Sequence, residues 1–424
     1  MHWKDDLQKD ANNPANSPEE HNSILVSADK EGRSRSSLPH YVVLDGVRQQ
    51  LRERMRDDFS AHRKGVISSY TDEPFTLPTL EGQTNFPLFV DCECACKDGV
   101  WYLLYQGVWY CCGSDEKEEM TMQEIPKRVV EMRKAWAAND AKRDAGLVEP
   151  EDVVKYRDIS YGPCGTWNLL DLYVPDESRI EGKTAEGRWP VIVSIHGGGF
   201  FYGDKELYRF YCMHLAEFGF AVVNFNYRLA PESHFPAPLA DTMAVMRWIS
   251  VNADQYGLDT SRVFMVGDSA GAQLVSQFAC MLTNKEYGKL FRFETPEDIC
   301  VRAISLSCGT YRLAGREKDS PRNPMMMDYF GDESLFDDPR TEVLENITGD
   351  YPPTYIFSAY NDPLIVECEP TAELLASRGI EVKCRIFGTP EAREVGHVFQ
   401  VDMRLEEGEK ANREQTDFFK AHMG

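Results

Sequence analysis

Short apolar runs and amphipathic stretches alternate along the chain from about residue 151 to the C-terminus. The apolar runs predict buried strands, and the stretches between most of them predict helices. Buried strands that alternate with helices indicate an α/β fold, with a largely parallel sheet covered on both faces. The predicted strands are 153–156, 169–174, 190–195, 220–225, 263–266, 301–306, 354–358 and 382–387, and the predicted helices are 207–218, 237–251, 270–282 and 371–377.

The first 150 residues have a different pattern. Residues 1–38 are polar and rich in Asn, Ser, Pro and charge, so they cannot bury much surface and are predicted to form a disordered arm. Apolar residues at spacings of four predict a helix over 41–66. A second long helix is predicted over 122–145.

A short repeat lies between these two predicted helices. Gly99-Val100-Trp101-Tyr102 recurs as Gly107-Val108-Trp109-Tyr110, and such aromatic runs predict a small antiparallel β-meander over 86–112. A chain of 424 residues is longer than one compact core usually holds, so an accessory region is expected. The predicted divisions are an arm over 1–38, a cap or accessory region over 39–150, and an α/β domain over 151–424 with a lid-like insertion at about 309–350.

The net charge and the lack of long apolar runs bear on the partners and the location that are expected for this chain. The chain carries 69 acidic and 46 basic residues, a formal net charge of −23. Such a surface repels nucleic acid and anionic membranes, so neither is expected as a partner. No apolar run approaches the roughly 18 residues that a membrane span requires. The N-terminus has no basic region followed by an apolar stretch, so no secretion signal is predicted and a cytoplasmic location is expected.

One segment combines a predicted strand, a tight turn and a predicted helix. Residues 263–266 lead into Gly267-Asp268-Ser269-Ala270-Gly271, and the helix continues to about residue 282. A serine on a sharp strand-to-helix turn has a strained backbone that exposes its hydroxyl group. Side chains at Gly267 and Gly271 would collide as the helix folds back against the sheet. Ser269 is therefore the predicted nucleophile.

A run of glycines follows the predicted strand 190–195. The motif is His196-Gly197-Gly198-Gly199-Phe200, and its glycines leave backbone N–H groups open to a close-lying ligand. Attack on an acyl carbonyl builds an alkoxide, which fixed N–H donors stabilise. The amides of Gly198, Gly199 and Ala270 are the candidate donors of an oxyanion hole. His196 is interpreted as ordering this loop rather than as a base.

A serine hydroxyl is a poor nucleophile until a base removes its proton. Where a serine stands on such a turn, the chain order is serine, then acid, then histidine. Only His397 and His422 follow Ser269, and His422 is the third residue from the C-terminus. His397 lies in a loop shortly after the strand 382–387, and it is the predicted base.

The acid is expected directly after a strand that lies between the serine and the histidine. Asp362 follows the predicted strand 354–358 and begins Asp362-Pro363-Leu364. Its carboxylate would accept a hydrogen bond from one imidazole nitrogen and stabilise the cation that forms. Asp362 is the predicted acid, with Glu367 and Glu369 as nearby alternatives.

Together with Tyr227-Arg228-Leu229-Ala230-Pro231-Glu232, these motifs resemble the hormone-sensitive-lipase-like carboxylesterases over roughly residues 150–424. The resemblance implies an eight-stranded α/β-hydrolase sheet, an N-terminal cap over the active site and hydrolysis of short- to medium-chain acyl esters. It implies no metal and no organic cofactor, and a structural role for residues 227–232. The chain departs from the family pattern at Ala272, where glycine often follows the turn, and in its longer first 150 residues.

Five cysteines near the predicted meander raise the question of a zinc site. Alternate residues of one strand share a face, so several thiols could converge. The segment has no Cys-x-x-Cys pair and no nearby histidine, and small buried hydrophobes explain the cysteines more simply. No metal is therefore predicted. The cysteines are Cys92, Cys94, Cys96, Cys111 and Cys112.

The sequence leaves several functions open beside a serine carboxylesterase that acts on a small-molecule ester. The same machinery serves amide or formamide hydrolysis, or deacetylation. A ligand-binding protein built on an inactive hydrolase is a further alternative. The predicted meander could dock a partner, and packing of its aromatics is compatible with a homo-oligomer.

Overall fold

The computed structural model describes residues 125–424 except 163, 179, 292, 294 and 314–322, together with the backbone of six short strands between residues 66 and 114. By its internal contacts the chain divides into two compact units. They are Met1–Glu124 with Ile159–Leu169, and Ile125–Asp158 with Leu170–Gly424. The predicted arm over 1–38 and the predicted helix over 41–66 lie outside the described residues.

The first unit contains a four-stranded antiparallel sheet. Its strands are β1 (Val66–Ser69), β4 (Cys92–Lys97), β5 (Val100–Tyr105) and β6 (Val108–Ser114), paired in the order β1-β4-β5-β6. Strands β4, β5 and β6 form the meander that the repeat predicts, with Leu103 opposite both Cys94 and Tyr110. Strands β2 (Pro78–Thr79) and β3 (Gly82–Gln83) form a separate two-stranded pair.

The large sheet has eight strands, as the family resemblance implies. Only β8 and β10 pair antiparallel among the described pairings of this sheet, so the predicted, largely parallel sheet is confirmed. The strands are β7 (Val153–Ser160), β8 (Leu169–Pro175), β9 (Trp189–Ile195), β10 (Ala221–Phe225), β11 (Leu258–Asp268), β12 (Val301–Ser307), β13 (Thr354–Ala359) and β14 (Val382–Phe387). Their spatial order is β14-β13-β12-β11-β9-β10-β8-β7.

Helices fill most of the connections between these strands. The central strands β9, β10 and β13 are buried along their whole length, which agrees with their continuous apolar sequences. The α-helices are α1 (Lys127–Asp144), α2 (Lys205–Glu217), α3 (Ala237–Tyr256), α4 (Ala270–Thr283), α5 (Lys285–Lys289), α6 (Pro324–Phe330), α7 (Val343–Asn346), α8 (Ile365–Ser377) and α9 (Glu406–Ala421). Short 3₁₀ turns span Gly165–Asn168, Glu333–Asp337, Pro339–Thr341 and Phe399–Val401.

Two predicted elements begin earlier than their sequence patterns indicate. Strand β11 starts at Leu258, five residues before the predicted strand. The residues from Asp259 to Arg262 are polar, so the first half of the strand has no apolar pattern from which it could be predicted. Helix α8 starts at Ile365 and carries Pro370 inside it, although a proline lacks the N–H that a helix interior uses. Over the predicted lid at 309–350, the described residues form α6, α7 and two 3₁₀ turns. In the described part of the chain, no helix combines the length and the apolar character needed to cross a bilayer.

Candidate active site

Ser269 occupies the turn between β11 and α4, where the sequence predicts a strained residue. Its φ of 51° and ψ of −116° are unusual for a residue with a side chain. A Cβ added to Gly267 would lie 2.4 Å from the Gly271 carbonyl oxygen, and one added to Gly271 would lie 2.0 Å from that of Ile195. Only glycine therefore allows α4 to begin so close to the sheet and to leave the serine hydroxyl in the open.

The side chains of Ser269, His397 and Asp362 meet in one hydrogen-bonded chain. His397 Nε2 lies 3.1 Å from Ser269 Oγ, and His397 Nδ1 lies 2.8 Å from Asp362 Oδ1. With Nδ1–H donating to the carboxylate, Nε2 is free to accept the hydroxyl hydrogen. The structure thus brings together the three residues that were selected from their positions after strands β11, β13 and β14.

The carboxylate of Asp362 is held from several sides. It is buried and accepts hydrogen bonds from Ser358 Oγ at 2.6 Å and from the Leu364 N–H at 2.9 Å, besides the one from His397. Burial opposes its ionisation, but these hydrogen bonds outweigh burial and lower the pKa of the carboxyl group below its ordinary value. Asp362 is therefore an anion over the neutral range and can stabilise a charged imidazole.

The glycine run after β9 adopts backbone conformations that side chains rarely take. Gly198 has a φ of 113° and Gly199 a φ of 62°, and a Cβ on Gly198 would lie 1.9 Å from the Tyr202 carbonyl oxygen. Gly198 and Gly199 line the same cavity as Ser269 and His397. Ala270 is the first residue of α4, so its N–H has no acceptor within the helix.

His196 anchors this glycine loop from inside the protein. Its Nδ1 lies 2.7 Å from the Gly197 carbonyl oxygen, and its ring stacks on Tyr227 at a centroid distance of 4.1 Å. The Tyr227 hydroxyl in turn donates to the His196 carbonyl oxygen at 2.8 Å. Burial lowers the pKa of His196 to about 4, so the ring is neutral at physiological pH. These contacts agree with the interpretation of His196 as a loop-ordering residue.

Asp268, the residue before Ser269, is a buried acid that the sequence reasoning did not single out. Its Oδ2 accepts a hydrogen bond from the Tyr208 hydroxyl at 2.7 Å, and that hydroxyl also accepts the N–H of Gly197 at 3.0 Å. Burial raises the pKa of Asp268 to about 6. Tyr208 belongs to α2, and a contact between residues 60 positions apart leaves no local pattern by which it could have been found.

Helix α1 forms one wall of the cavity in front of Ser269, which has a volume of about 470 Å³. This wall is largely polar. Asp140 accepts hydrogen bonds from the Tyr202 hydroxyl at 2.7 Å and from Arg143 at 3.0 Å, while the indole of Trp136 meets the ring of Tyr202 edge-on. The α1 residues on the cavity are Trp136, Asn139, Asp140 and Arg143, and the other lining residues that sequence reasoning missed include Tyr202, Tyr208, Asp268, Met325 and Val398.

Arg133 of α1 binds the backbone beside the glycine loop. Its two terminal nitrogens each lie 2.8 Å from a carboxylate oxygen of Glu232, a bidentate pair. Its Nε donates to the Phe201 carbonyl oxygen at 2.7 Å, and one terminal nitrogen also donates to that of Ala230 at 2.9 Å. Phe201 closes a turn onto the carbonyl oxygen of Gly198. One side chain therefore joins α1 to both the glycine loop and residues 227–232.

One group of side chains in the described part of the chain has the donor types of a metal site. Donor atoms of Cys308, Asp362 and His397 lie within 4.8 Å of one another. His397 and Asp362 already hydrogen-bond to each other, and the Cys308 sulfur accepts the Val398 N–H at 3.4 Å. These bonds explain the cluster without an ion. The side chains of the five cysteines near the meander lie outside the described residues.

Comparisons with known proteins agree with this architecture. A family model described as an α/β-hydrolase fold matches residues 192–400, the range from β9 to just beyond His397. The probable carboxylic ester hydrolase LipM of Mycobacterium tuberculosis (strain ATCC 25618 / H37Rv) is 28% identical over 218 residues, which cover 49% of this chain and 48% of LipM. The acetyl esterase of Salmonella schwarzengrund (strain CVM19633) is 31% identical over 191 residues, covering 41% and 56% of the two chains.

A solved structure extends the similarity over more of the fold. Esterase B of Lactobacillus rhamnosis (HN001) is 26% identical with a TM-score of 0.62, and the match covers 70% of this chain and 96% of esterase B. By contrast, the chain spans about half the length of the curated relatives it matches. Together the comparisons confirm the predicted fold and the resemblance to carboxylesterases.

Proposed function

This chain is an α/β hydrolase related to the hormone-sensitive-lipase-like carboxylesterases, and from that premise we propose that it is a serine carboxylesterase. The proposal rests on one observation, the continuous hydrogen-bonded chain Ser269–His397–Asp362. Each link has the length that proton transfer or charge stabilisation requires. Two further observations support the proposal: the glycine loop lines the same cavity as the serine, and α4 begins directly after the serine.

Acylation begins when His397 Nε2 takes the proton of Ser269 and the serine oxygen attacks the ester carbonyl. Negative charge then develops on the carbonyl oxygen, and the N–H groups of Gly198, Gly199 and Ala270 are the proposed donors to it. Asp362 holds the imidazole in the tautomer that accepts this proton and stabilises the cation. His397 next gives the proton to the departing alcohol, which leaves an acyl group on Ser269.

Deacylation repeats these steps with water in place of the serine. His397 removes a proton from the water, the hydroxide attacks the acyl carbonyl, and the proton returns to Ser269 as the acid is released. The balance is one ester and one water converted to one acid and one alcohol. No metal or organic cofactor takes part in the proposed steps.

The cavity and the relatives favour short- to medium-chain acyl esters of small molecules. A volume of about 470 Å³, partly walled by polar groups of α1, suits a small ester better than a long acyl chain. Two comparisons point the same way: the Salmonella relative is named an acetyl esterase, and esterase B has been crystallised inhibited by a tributyrin phosphonate.

The test is hydrolysis of p-nitrophenyl esters from acetate to decanoate by the wild type and by Ser269→Ala. We expect rapid turnover of the shorter esters and a loss of about 10⁴-fold or more in kcat in the variant. Ser377→Ala, at an exposed position on α8, is the matched control and should keep full activity. A fluorophosphonate should label Ser269 in the wild type and in Ser377→Ala only.

Two results would contradict the proposal. Ester turnover that survives in Ser269→Ala would remove this serine as the nucleophile. Faster hydrolysis of the matching p-nitroanilides or formanilides than of the esters would identify an amide hydrolase that uses the same machinery.

A further inference from the structure

Two cysteines lie in contact on neighbouring elements at the edge of the large sheet. Cys368 belongs to the first half of α8, and Cys384 belongs to the edge strand β14, against which α8 packs. Their sulfur atoms are 3.8 Å apart, and both residues are free thiols. Cys368 is buried and only 3% exposed, whereas Cys384 is exposed. One sulfur can therefore be reached from solvent while the other lies directly behind it.

The two thiols differ in acidity because they share a hydrogen bond. The contact between the two sulfurs, in which either thiol can donate, lowers the pKa of Cys384 and raises that of the more deeply buried Cys368. Lys383 and Arg385 flank Cys384 but point to the other side of the strand, where both pair with Glu414. The exposed thiol is thus the more readily ionised of the pair, and a thiolate is the form that reacts with oxidants.

We propose that Cys368 and Cys384 form an oxidisable dithiol site, at which a peroxide converts the two thiols into a disulfide. The sulfur of Cys384 attacks one oxygen of the peroxide, the O–O bond breaks, and a sulfenic acid and one water form. The sulfur of Cys368 then attacks the Cys384 sulfur, an S–S bond forms, and the sulfenic oxygen leaves as a second water. The two sulfurs lose two electrons in total, and the peroxide gains them.

The geometry requires only a small movement. A disulfide has an S–S distance of about 2.05 Å, so the two sulfurs, now 3.8 Å apart, must approach by about 1.8 Å for the bond to form. The bond would join the helix that begins three residues after Asp362 to the strand that precedes the loop of His397. It would tie together the two segments that carry the proposed acid and base.

The other described cysteines offer controls for this site. Cys164, Cys212, Cys280 and Cys308 are buried, and Cys300 is exposed. Cys300 reports how a single accessible thiol of the same protein reacts. Because five further cysteines precede residue 125, the products must be located by peptide mapping rather than by counting thiols.

The experiment treats the reduced full-length protein with hydrogen peroxide, alkylates the remaining thiols and maps the peptides by mass spectrometry. Chymotrypsin is the suitable protease, because trypsin would cut after Lys383 and Arg385 and leave a dipeptide. We expect a peptide pair joined through Cys368 and Cys384, 2 Da lighter than the sum of the two thiol peptides and separated by dithiothreitol. Alkylation of Cys384 should fall about tenfold under conditions that change Cys300 less than about twofold.

Two variants decide between a dithiol site and a single reactive thiol. In Cys368→Ser, Cys384 should stop at the sulfenic acid, which dimedone traps, and in Cys384→Ser the buried Cys368 should stay reduced. Oxidation of Cys300 with no Cys368–Cys384 cross-link in the wild type overturns the proposal, as does a cross-link of Cys384 to any other cysteine. The wild-type map decides even if a variant folds poorly, and it is independent of the proposed esterase activity.

Discussion

The hydroxyl of Tyr208 donates a 2.7 Å hydrogen bond to the buried carboxyl group of Asp268, the residue before the proposed nucleophile. The same hydroxyl accepts the N–H of Gly197, the residue before the proposed oxyanion donors. One phenol therefore links the turn at Ser269 to the glycine loop. Removing a donor to a buried carboxylate is costly, so the link should hold both segments in register.

The ionisation of Asp268 should make stability depend on pH. Burial raises the pKa of this group from 3.8 to about 6, so the folded protein binds its proton more tightly than the unfolded chain does. The proton's contribution to stability is complete below about pH 4 and is lost as the pH rises through about 6. At about 1.4 kcal/mol per pKa unit, the loss is about 3 kcal/mol.

The variant Asp268→Asn removes this titration but keeps an oxygen that can accept from Tyr208. Its free energy of unfolding, relative to wild type, should therefore rise by about 3 kcal/mol between pH 4 and pH 7. Urea unfolding of both proteins at four pH values measures this difference in the free energy of unfolding. The contributions of the other titrating groups are common to both proteins and cancel in the difference. Parallel stability curves for the two proteins would show that Asp268 does not titrate in this range.

Arg133 should affect the chemical step although it lies beside the cavity rather than in it. Lysine at this position keeps the charge but loses the fork that holds Glu232 and the Phe201 carbonyl oxygen together. The glycine loop then loses one of its restraints, so we expect Arg133→Lys to lower kcat about tenfold with little change in KM. Binding of a trifluoromethyl ketone, which mimics the tetrahedral intermediate, should weaken by the same factor.

A second arginine of α1 provides the matched control for this prediction. Arg128 pairs with Asp328 and makes no described contact with the glycine loop. Arg128→Gln should therefore leave kcat and inhibitor binding unchanged. If Arg133→Lys lowers the melting temperature but not kcat, Arg133 only attaches the helix and has no positioning role.

The sheet and the meeting of Ser269, Asp362 and His397 could be predicted because their signals are local. Ser269 and Asp362 each follow a buried, largely apolar strand, whereas His397 was selected because it stands in a loop after the edge strand β14 and only one other histidine follows the serine. Parallel strands bring their carboxyl ends to one edge of a sheet. The motif glycines likewise stand next to the residues they serve. Strand periodicity, the glycine motifs and the chain order were therefore sufficient to predict that these three side chains meet, and to propose the N–H donors beside them.

The contribution of α1 to the cavity could not be predicted in this way. Val129 is the one buried residue of this helix, so hydrophobic periodicity carries almost no information about its position. Arginines and aromatic edges attach it instead, for example Arg133 to Glu232 and Trp136 to Tyr202. Such contacts join residues far apart in the sequence and depend on the completed fold.

Gly271 should be intolerant of any side chain. A Cβ there would lie 2.0 Å from the Ile195 carbonyl oxygen, and backbone atoms at that distance must shift before the fold can close. We expect Gly271→Ala to destabilise the protein by several kcal/mol and to lower its soluble yield. At Gly349 a Cβ would meet only one atom, at 3.4 Å. The free energy of unfolding of Gly349→Ala should therefore lie within about 0.5 kcal/mol of the wild-type value. Equal melting temperatures for the two variants would refute the close packing of α4 on the sheet.

Trp136 should limit the length of the chain that the cavity accepts. A Cβ on Gly199 would lie 3.5 Å from the Trp136 indole and 3.1 Å from the Met325 methyl group, so these two side chains close over the proposed oxyanion loop. Replacing the indole by a methyl group opens space for additional methylenes, each worth about 0.8 kcal/mol when buried. In Trp136→Ala, the ratio of kcat/KM for p-nitrophenyl octanoate to that for acetate should therefore rise about tenfold or more.

Lys134→Ala, at an exposed position on the same helix, controls for nonspecific effects on α1 and should leave this ratio unchanged. A chain-length profile identical to that of the wild type would mean that the acyl group does not reach the indole, and that α1 contacts the alcohol side of the ester or no part of it.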